Sequence, residues 1–244
     1  VEQAVITAAI LVIGDEILVG RTKDKNIGYI AEYLTNIGID LREVRIVPDV
    51  KERIIEALDA LRKTYTYLFT TGGIGPTHDD ITADCVAHAF NVPIDENEQA
   101  LLMLRERYAE PDLNEGRRRM ARIPHGATLI NNPISKAPGF RIENVIVMAG
   151  VPHIMQVMLD DVAPTLRTGQ RIHVATIDCG AITEGLYTTA LAALAQQHPD
   201  VGIGSYPSFH QGGFRSQIVV RGRDEGKVLA AKDAVEEMLS IISG

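Results

Sequence analysis

The hydrophobic positions change period several times along this chain, and the changes come in a regular order. Ala4–Ile13 is an apolar run rich in Val and Ile that ends at Gly14, the pattern of a strand buried on both faces. From Asp24 the apolar residues fall three or four apart, at Ile27, Ile30, Ala31, Leu34 and Ile37, with Gly38 standing where a helix C′ residue belongs. Ile39–Val47 reads as a second strand, and Pro48-Asp49 opens a helix with Val50, Ile54, Leu58 and Leu61 on one face. Tyr65–Thr70 is a third strand. After a glycine-rich turn, Ala83, Val86, Ala87 and Phe90 mark a third helix. Strands alternating with helices at this spacing predict βαβ units, hence an α/β fold with a mostly parallel sheet covered on both faces.

The middle of the chain is less regular. Glu98–Ala109 reads as helical, Pro111–Gly116 breaks it, and Arg117-Arg118-Arg119 forms a basic cluster. Asn131–Phe140, with Pro133, Pro138 and Gly139, is expected to be an ordered loop. Val145–Ala149 is a further strand, and Pro152 suits the first turn of a helix running to about Val162. Beyond Arg167-Thr168-Gly169 the order changes. Arg171–Ile177 is a strand, Thr183–Gln197 a helix, Val201–Tyr206 and Gln217–Arg221 strands joined through Gly212-Gly213, and Lys227–Ile242 a closing helix. That β-α-β-β-α order is half a split βαβ module. Two domains follow, an α/β domain over 1–168 and a small α+β module over 169–244.

Composition narrows the function. The 244 residues are 45% hydrophobic, which is ample for a packed core. A formal charge of −8 argues against non-specific nucleic-acid binding, which needs a basic face. No apolar run reaches the ~18 residues needed to cross a bilayer, and the start lacks a basic signal-peptide region. The two cysteines, Cys85 and Cys179, cannot form a disulfide framework. A cytoplasmic protein with a small-molecule partner, and neither a nucleic-acid nor a membrane one, is expected.

Three polar clusters fall at predicted carboxyl ends of strands: Gly14-Asp15-Glu16, Pro48-Asp49, and Gly72 to Asp80. In a doubly wound sheet, ligands bind beyond those ends. Thr71-Gly72-Gly73-Ile74-Gly75-Pro76-Thr77-His78-Asp79-Asp80 joins a strand to a helix, and its three glycines allow backbone N–H groups to approach an anion. It is neither a Walker A loop nor a GxGxxG turn, and an ordinary glycine-rich βα turn is the plainer reading. Asp15, Glu16, Asp49, Asp79 and Asp80 are hard oxygen donors of the kind Mg²⁺ takes in ones and twos beside substrate phosphates. Asp49 also suits a helix N-cap paired with Glu52, Asp79 or Asp80 can cap the next helix, and Asp15 and Glu16 can be solvated loop residues. Arg117–Arg119 is either a phosphate clamp or a solvated face. The histidines show no zinc spacing, and a serine-nucleophile elbow is missing.

Taken together, Ile13-Gly14-Asp15-Glu16-Ile17-Leu18, Pro48-Asp49, the string from Thr70 to Thr82, Asn132-Pro133-Ile134-Ser135-Lys136-Ala137-Pro138-Gly139-Phe140 and Gly150-Val151-Pro152 resemble the molybdopterin-binding (MogA/MoaB) domain family, and more closely its CinA-type branch. Gly202-Ile203-Gly204-Ser205-Tyr206-Pro207 is similar to the small module that follows in CinA-like chains. The resemblance implies a three-layer Rossmann-like core, a nucleotide or pterin substrate, a divalent cation such as Mg²⁺, and a homo-oligomer. It implies that Asp49 and Asp80 carry catalysis. Gly14, Gly72, Gly73, Gly75, Pro76, Thr77, Asn132 and Pro133 would bind the ligand, with Asp15, Glu16, Asp49, Asp79 and Asp80 around the metal. The expected activity is that of a nucleotide pyrophosphatase acting on ADP-ribose or a similar dinucleotide. The alternatives are molybdopterin binding or adenylyl transfer, and a non-catalytic nucleotide-sensing module. A C-terminal deamidase domain, found in full-length CinA, has no counterpart before Gly244. The chain departs from the family's pattern at two places: Ile154 stands where the family places a glutamate, and Arg117-Arg118-Arg119-Met120-Ala121 replaces Asn-x-Lys-Gln-Ala.

Overall fold

The computed structural model describes residues 5–210 and 213–243. Ala4, the expected start of the first strand, and Gly212 of the expected turn lie outside them. The backbone divides into two compact units, 1–169 and 170–244.

The larger unit opens with β1 (Thr7–Ile13), a short α1 (Asp15–Leu18), α2 (Asn26–Asn36), β2 (Asp40–Val47), α3 (Lys51–Thr64), β3 (Tyr67–Thr71) and α4 (Thr82–Phe90). An irregular stretch follows: β4 (Ile94–Glu96), α5 (Glu98–Arg105), α6 (Glu115–Arg119), β5 (Arg122–Pro124) and β6 (Thr128–Ile130). β7 (Gly139–Ile142), β8 (Val145–Met148) and α7 (Pro152–Val162) complete it. Six strands form one sheet in the order β2-β1-β3-β8-β7-β6. The first four run parallel, and β7 and β6 add antiparallel partners at one side. Alternate residues of β1 feed opposite layers. Ala9, Leu11 and Ile13 pack with Ile54, Leu58 and Leu61 of α3 and Val86 of α4, whereas Ala8, Ile10 and Val12 pack with Ile30 and Leu34 of α2 and Met155, Met158 and Leu159 of α7. The fold is therefore a three-layer α/β sandwich, in agreement with the sequence expectation.

One expectation needs correction. Gly139 and Phe140 are not loop but the start of β7, and the loop covers 131–138. Glycine is required at that strand start because a Cβ would stand 2.4 Å from the Val147 carbonyl oxygen. Strands of three or four residues carry too few positions to register a period, and flanking prolines masked the rest.

The smaller unit comprises β9 (His173–Asp178), α8 (Glu184–Gln197), β10 (Gly202–His210), β11 (Gly213–Gly222) and α9 (Glu225–Ser243). Its three-stranded antiparallel sheet has the order β10-β11-β9. Ile218, Val220, Val228, Ala231 and Val235 form its core with Tyr187. The buried Tyr187 hydroxyl lies 2.8 Å from Ser205 Oγ and 3.0 Å from Ser216 Oγ, so that core is polar at one point but satisfied. Among the described residues, no helix is long and apolar enough to cross a membrane.

Because Ile10 is wholly buried in a strand flanked on both sides, Ile10→Ala is expected to cost about 2–5 kcal/mol of stability. Guanidinium unfolding curves of the variant and parent check this.

Candidate active site at the switch point of the sheet

The chain leaves β1 toward β2 on one side and later returns to β3 on the other, so the crevice between β1 and β3 is the topological switch point of the parallel strands. The backbones come unusually close there. A Cβ on Gly72 would stand 2.1 Å from the Ile13 carbonyl oxygen, and Gly72 has φ +102°. Its neighbour Gly73 has φ +65°, and a Cβ on it would lie 2.2 Å from Thr82 Oγ1. Thr82 closes the turn twice, donating from Oγ1 to the Gly72 carbonyl at 3.0 Å and from its N–H to the Gly73 carbonyl at 3.0 Å. Two residues with positive φ turn the chain out of β3 and deliver it to α4.

Asp80 holds the rest of the loop. Its Oδ1 accepts from Gly75 N at 2.6 Å, and its Oδ2 accepts from Thr77 N at 2.8 Å and Thr77 Oγ1 at 2.5 Å. Gly75 is bare because a Cβ would meet Asp80 Oδ2 at 2.7 Å. Gly72 N is also engaged, donating to the Met148 carbonyl at 3.2 Å, and Pro76 has no N–H. Among the described residues, the loop N–H groups that meet no acceptor are those of Gly73, Ile74, His78 and Ile81, and of these Gly73 and Ile74 line the cavity beside Asp80. Asp80 does not cap α4, which starts at Thr82 behind Ile81. Asp79 is exposed, and the neighbouring Thr77 hydroxyl dipole and its own N–H hold its carboxyl below the ordinary range. His78 projects into solvent, its Nδ1 3.9 Å from Asp79.

Asp49 ties the second strand end to the first. Its Oδ2 accepts from Asp15 N at 2.9 Å, and Gly14 N donates to the Val47 carbonyl at 3.2 Å. This displaces the helix-cap reading. Val50 occupies the N-cap of α3 without a side-chain bond, and the Asp49–Glu52 capping pair does not form. Glu16 folds back over Gly14, whose Cβ would stand 2.6 Å from Glu16 Oε2. Burial pushes the Asp49 carboxyl up from its ordinary pKa, and the negative charges of Asp15, Glu16 and Asp79 push it further, against the Asp15 N–H bond. Carboxylates from three separate strand ends thus share one electrostatic neighbourhood.

Asn132 and Pro133 are placed differently. Buried Asn132 Nδ2 donates to Ser135 Oγ at 2.5 Å and the Ala137 carbonyl at 2.8 Å, while its Oδ1 accepts from Ile134 N and Ser135 N. Its capacity is spent inside its own loop, and Pro133 is exposed beside it. Sequence reasoning passed over Asn26, which donates from Nδ2 to the Gly150 carbonyl at 2.8 Å and so braces α2 against the end of β8. It also did not separate Arg119 from its neighbours. Arg119 Nε donates to the Asp80 carbonyl at 3.3 Å. The Cys85 thiol is wholly buried and pushed up to about 12, which removes it as a nucleophile. Among the described residues, no group of three His, Cys, Asp or Glu side chains is placed to hold a metal ion. The donor chemistry fits an ion gripped by one or two carboxylates, with the remaining ligands from substrate and water.

This geometry defines a doubly wound α/β domain with a candidate site at its switch point, joined to a small α+β module. Comparison with known proteins makes the class specific. The family model described as "Probable molybdopterin binding domain" matches residues 9–168, and one described as "FAD synthase, middle domain" matches residues 171–243. The chain belongs to the molybdopterin-binding (MogA/MoaB) domain family, and within it is CinA-like. A Pyrococcus abyssi protein is 36% identical over 238 residues, covering 89% of this chain and 91% of that one. A Caenorhabditis elegans protein named "Probable FAD synthase" is 30% identical over 260 residues, which span 96% of this chain and 50% of that protein. The crystal structure of CinA from Thermoplasma acidophilum, itself of unknown function, is similar with a TM-score of 0.62 and 32% identity, over 65% of this chain and 96% of that chain.

The raised carboxyl of Asp49 sets a pH dependence. The folded state keeps the Asp49 proton to higher pH than the unfolded chain does, so its ionisation weakens the fold as pH rises through the carboxylate range. Asp49→Asn keeps an acceptor for Asp15 N and removes the charge. The variant is expected to have a higher Tm than the parent at pH 7, with the gap closing as pH falls below the ordinary carboxylate range. Thermal melts across pH 3–8 check the sign.

Proposed function

We propose that this protein is a divalent-metal-dependent nucleotide pyrophosphatase acting on ADP-ribose or a similar dinucleotide. The observation that carries the reading is the meeting, at one switch point, of a glycine loop with unengaged N–H donors and a charge-crowded Asp49. In this reading the N–H groups of Gly73 and Ile74 receive phosphoryl oxygens, while Asp80 acts as a positioning residue by fixing the loop through Gly75 and Thr77. Asp49 holds the ion and orients the attacking water, with Asp15, Glu16 and Asp79 completing the negative field that attracts it. A bound Mg²⁺ would neutralise the diphosphate and stabilise charge as the P–O bond breaks. Fixed N–H donors add to that stabilisation without reorganising. Both cysteines are free and buried, which fits a reducing, cytoplasmic setting.

A second reading, molybdopterin binding or adenylyl transfer to a pterin, uses the same loop and aspartates. The family description over residues 9–168 favours it. Products separate the two. Hydrolysis of ADP-ribose yields AMP and ribose phosphate, whereas adenylyl transfer from ATP yields an adenylylated pterin.

The test is AMP release from ADP-ribose, FAD and NAD⁺ with and without Mg²⁺, Mn²⁺ or Co²⁺. Metal-dependent AMP release from ADP-ribose is expected, falling by at least about a hundredfold in Asp49→Asn, the scale on which losing a catalytic group acts. An unchanged rate in that variant removes Asp49 from the mechanism. No AMP from any substrate with any metal removes the pyrophosphatase reading.

A further inference from the structure

The carboxylates at the switch point raise a problem for any phosphate-bearing ligand. Asp15, Glu16 and Asp79 charge the neighbourhood of Asp49 and Asp80 sits within the glycine loop itself, and a helix N-terminus or a few N–H groups offset only part of the repulsion a phosphate would meet there. A cation of the protein's own, beside any bound metal ion, would offset the rest, and four arginines lie close in sequence. Three are committed elsewhere. The Arg117 guanidinium stacks 4.3 Å from the Tyr108 ring centroid and donates to the Asp112 carbonyl. Arg118 makes a two-point pair with Glu96. Arg122 takes both oxygens of Asp84, at 2.9 and 2.7 Å.

Arg119 is different. Its Nη2 stands 3.6 Å from Asp84, beyond hydrogen-bond range of a carboxylate already filled by Arg122, and its one hydrogen bond is a long 3.3 Å contact to the Asp80 carbonyl. Two guanidiniums share the Asp84 carboxylate, and Arg122 holds both of its oxygens, so among the described residues Arg119 is left with no hydrogen-bonded carboxylate. That side chain is a third exposed and lines one small cavity with Gly73, Ile74, Gly75 and Asp80, the same loop whose Gly73 and Ile74 N–H groups are unengaged.

From this we infer that Arg119 is the phosphate-recognition residue of the site, pairing with phosphoryl oxygens held at Gly73 and Ile74. The ligand class is then a phosphate or diphosphate ester, recognised through its anion; neutral nucleosides and unphosphorylated pterins lack the group that Arg119 reads. The inference rests on the reading of this loop as a phosphate cradle, but not on hydrolysis.

Calorimetric binding of ADP and of adenosine to the whole chain tests it, with Arg119→Gln, Arg119→Lys and Arg118→Gln as variants. Arg119→Gln is expected to weaken ADP by about tenfold to a hundredfold, the range for losing a charge-assisted bond. Adenosine affinity stays unchanged, and Lys recovers part of the loss. Arg118→Gln leaves ADP binding as in the parent, because that arginine serves Glu96. Arg119-dependent ADP binding without turnover upholds the inference while defeating the pyrophosphatase reading. Equal losses for ADP and adenosine, or none for either, overturn it and reduce Arg119 to a brace for the loop. So does loss of ADP binding in Arg118→Gln as large as in Arg119→Gln. Should Arg119→Gln lower the Tm by more than a few degrees, Arg119→Met, which keeps the apolar stem without the charge, provides the second measurement: at equal folding, ADP affinity of the parent must fall with salt more steeply than that of Arg119→Met.

Discussion

The whole site depends on one close approach, that of the Gly72 backbone to the carbonyl of Ile13. Parallel strands carry their loops away from the sheet edge, and two loops leaving adjacent strands at a switch point would normally be held apart by their own side chains. Removing the Cβ at Gly72 lets the ends of β1 and β3 touch. Positive φ at Gly72 and Gly73 then folds the loop back so that Thr82 can seal it onto the start of α4. Everything placed later, the Asp80 clasp and the meeting of Asp49 with Asp15, presumes that contact.

Charge is the second organising constraint. The fold brings acidic groups from three strand ends together and leaves Asp49 half-buried among them, an arrangement with no benefit to the folded state by itself. Local rules are commonly broken in this way where a protein meets its ligand. The structure relieves part of the strain internally. Asp80 is satisfied by three donors from its own loop, and Asp84 neutralises Arg122, while among the described residues Asp49 and Arg119 are left without a partner of opposite charge within hydrogen-bond range.

The layered fold was legible because long elements impose their period on the sequence. The stripe from Ile27 to Ile37 and the run from Ala8 to Ile13 appear in the structure as a helix and a strand facing each other. The convergence at the sheet edge was legible for the same reason: once strands are recognised, their carboxyl ends follow. What stayed hidden was side-chain direction within loops. Nothing in Asp79-Asp80 says which carboxylate turns inward; closure of the turn onto Gly75 and Thr77 decides it. Nor does an Asn-Pro pair reveal that Asn132 spends all its hydrogen bonds on its own loop. Among three consecutive arginines, only the positions of Tyr108, Glu96 and Asp84 tell them apart.

The glycine turn also has a consequence for how such a protein can change over generations. At Gly72, Gly73 and Gly75 even a single methyl group collides with backbone, a buried hydroxyl or a carboxylate. Those three sites offer mutation almost nothing to explore. Any drift in ligand choice must therefore enter from the flanks, through side chains such as Met120 beside the cavity or Ile154 in the first turn of α7. A glycine turn of this kind can be inherited unaltered while its neighbours are rewritten for a new molecule.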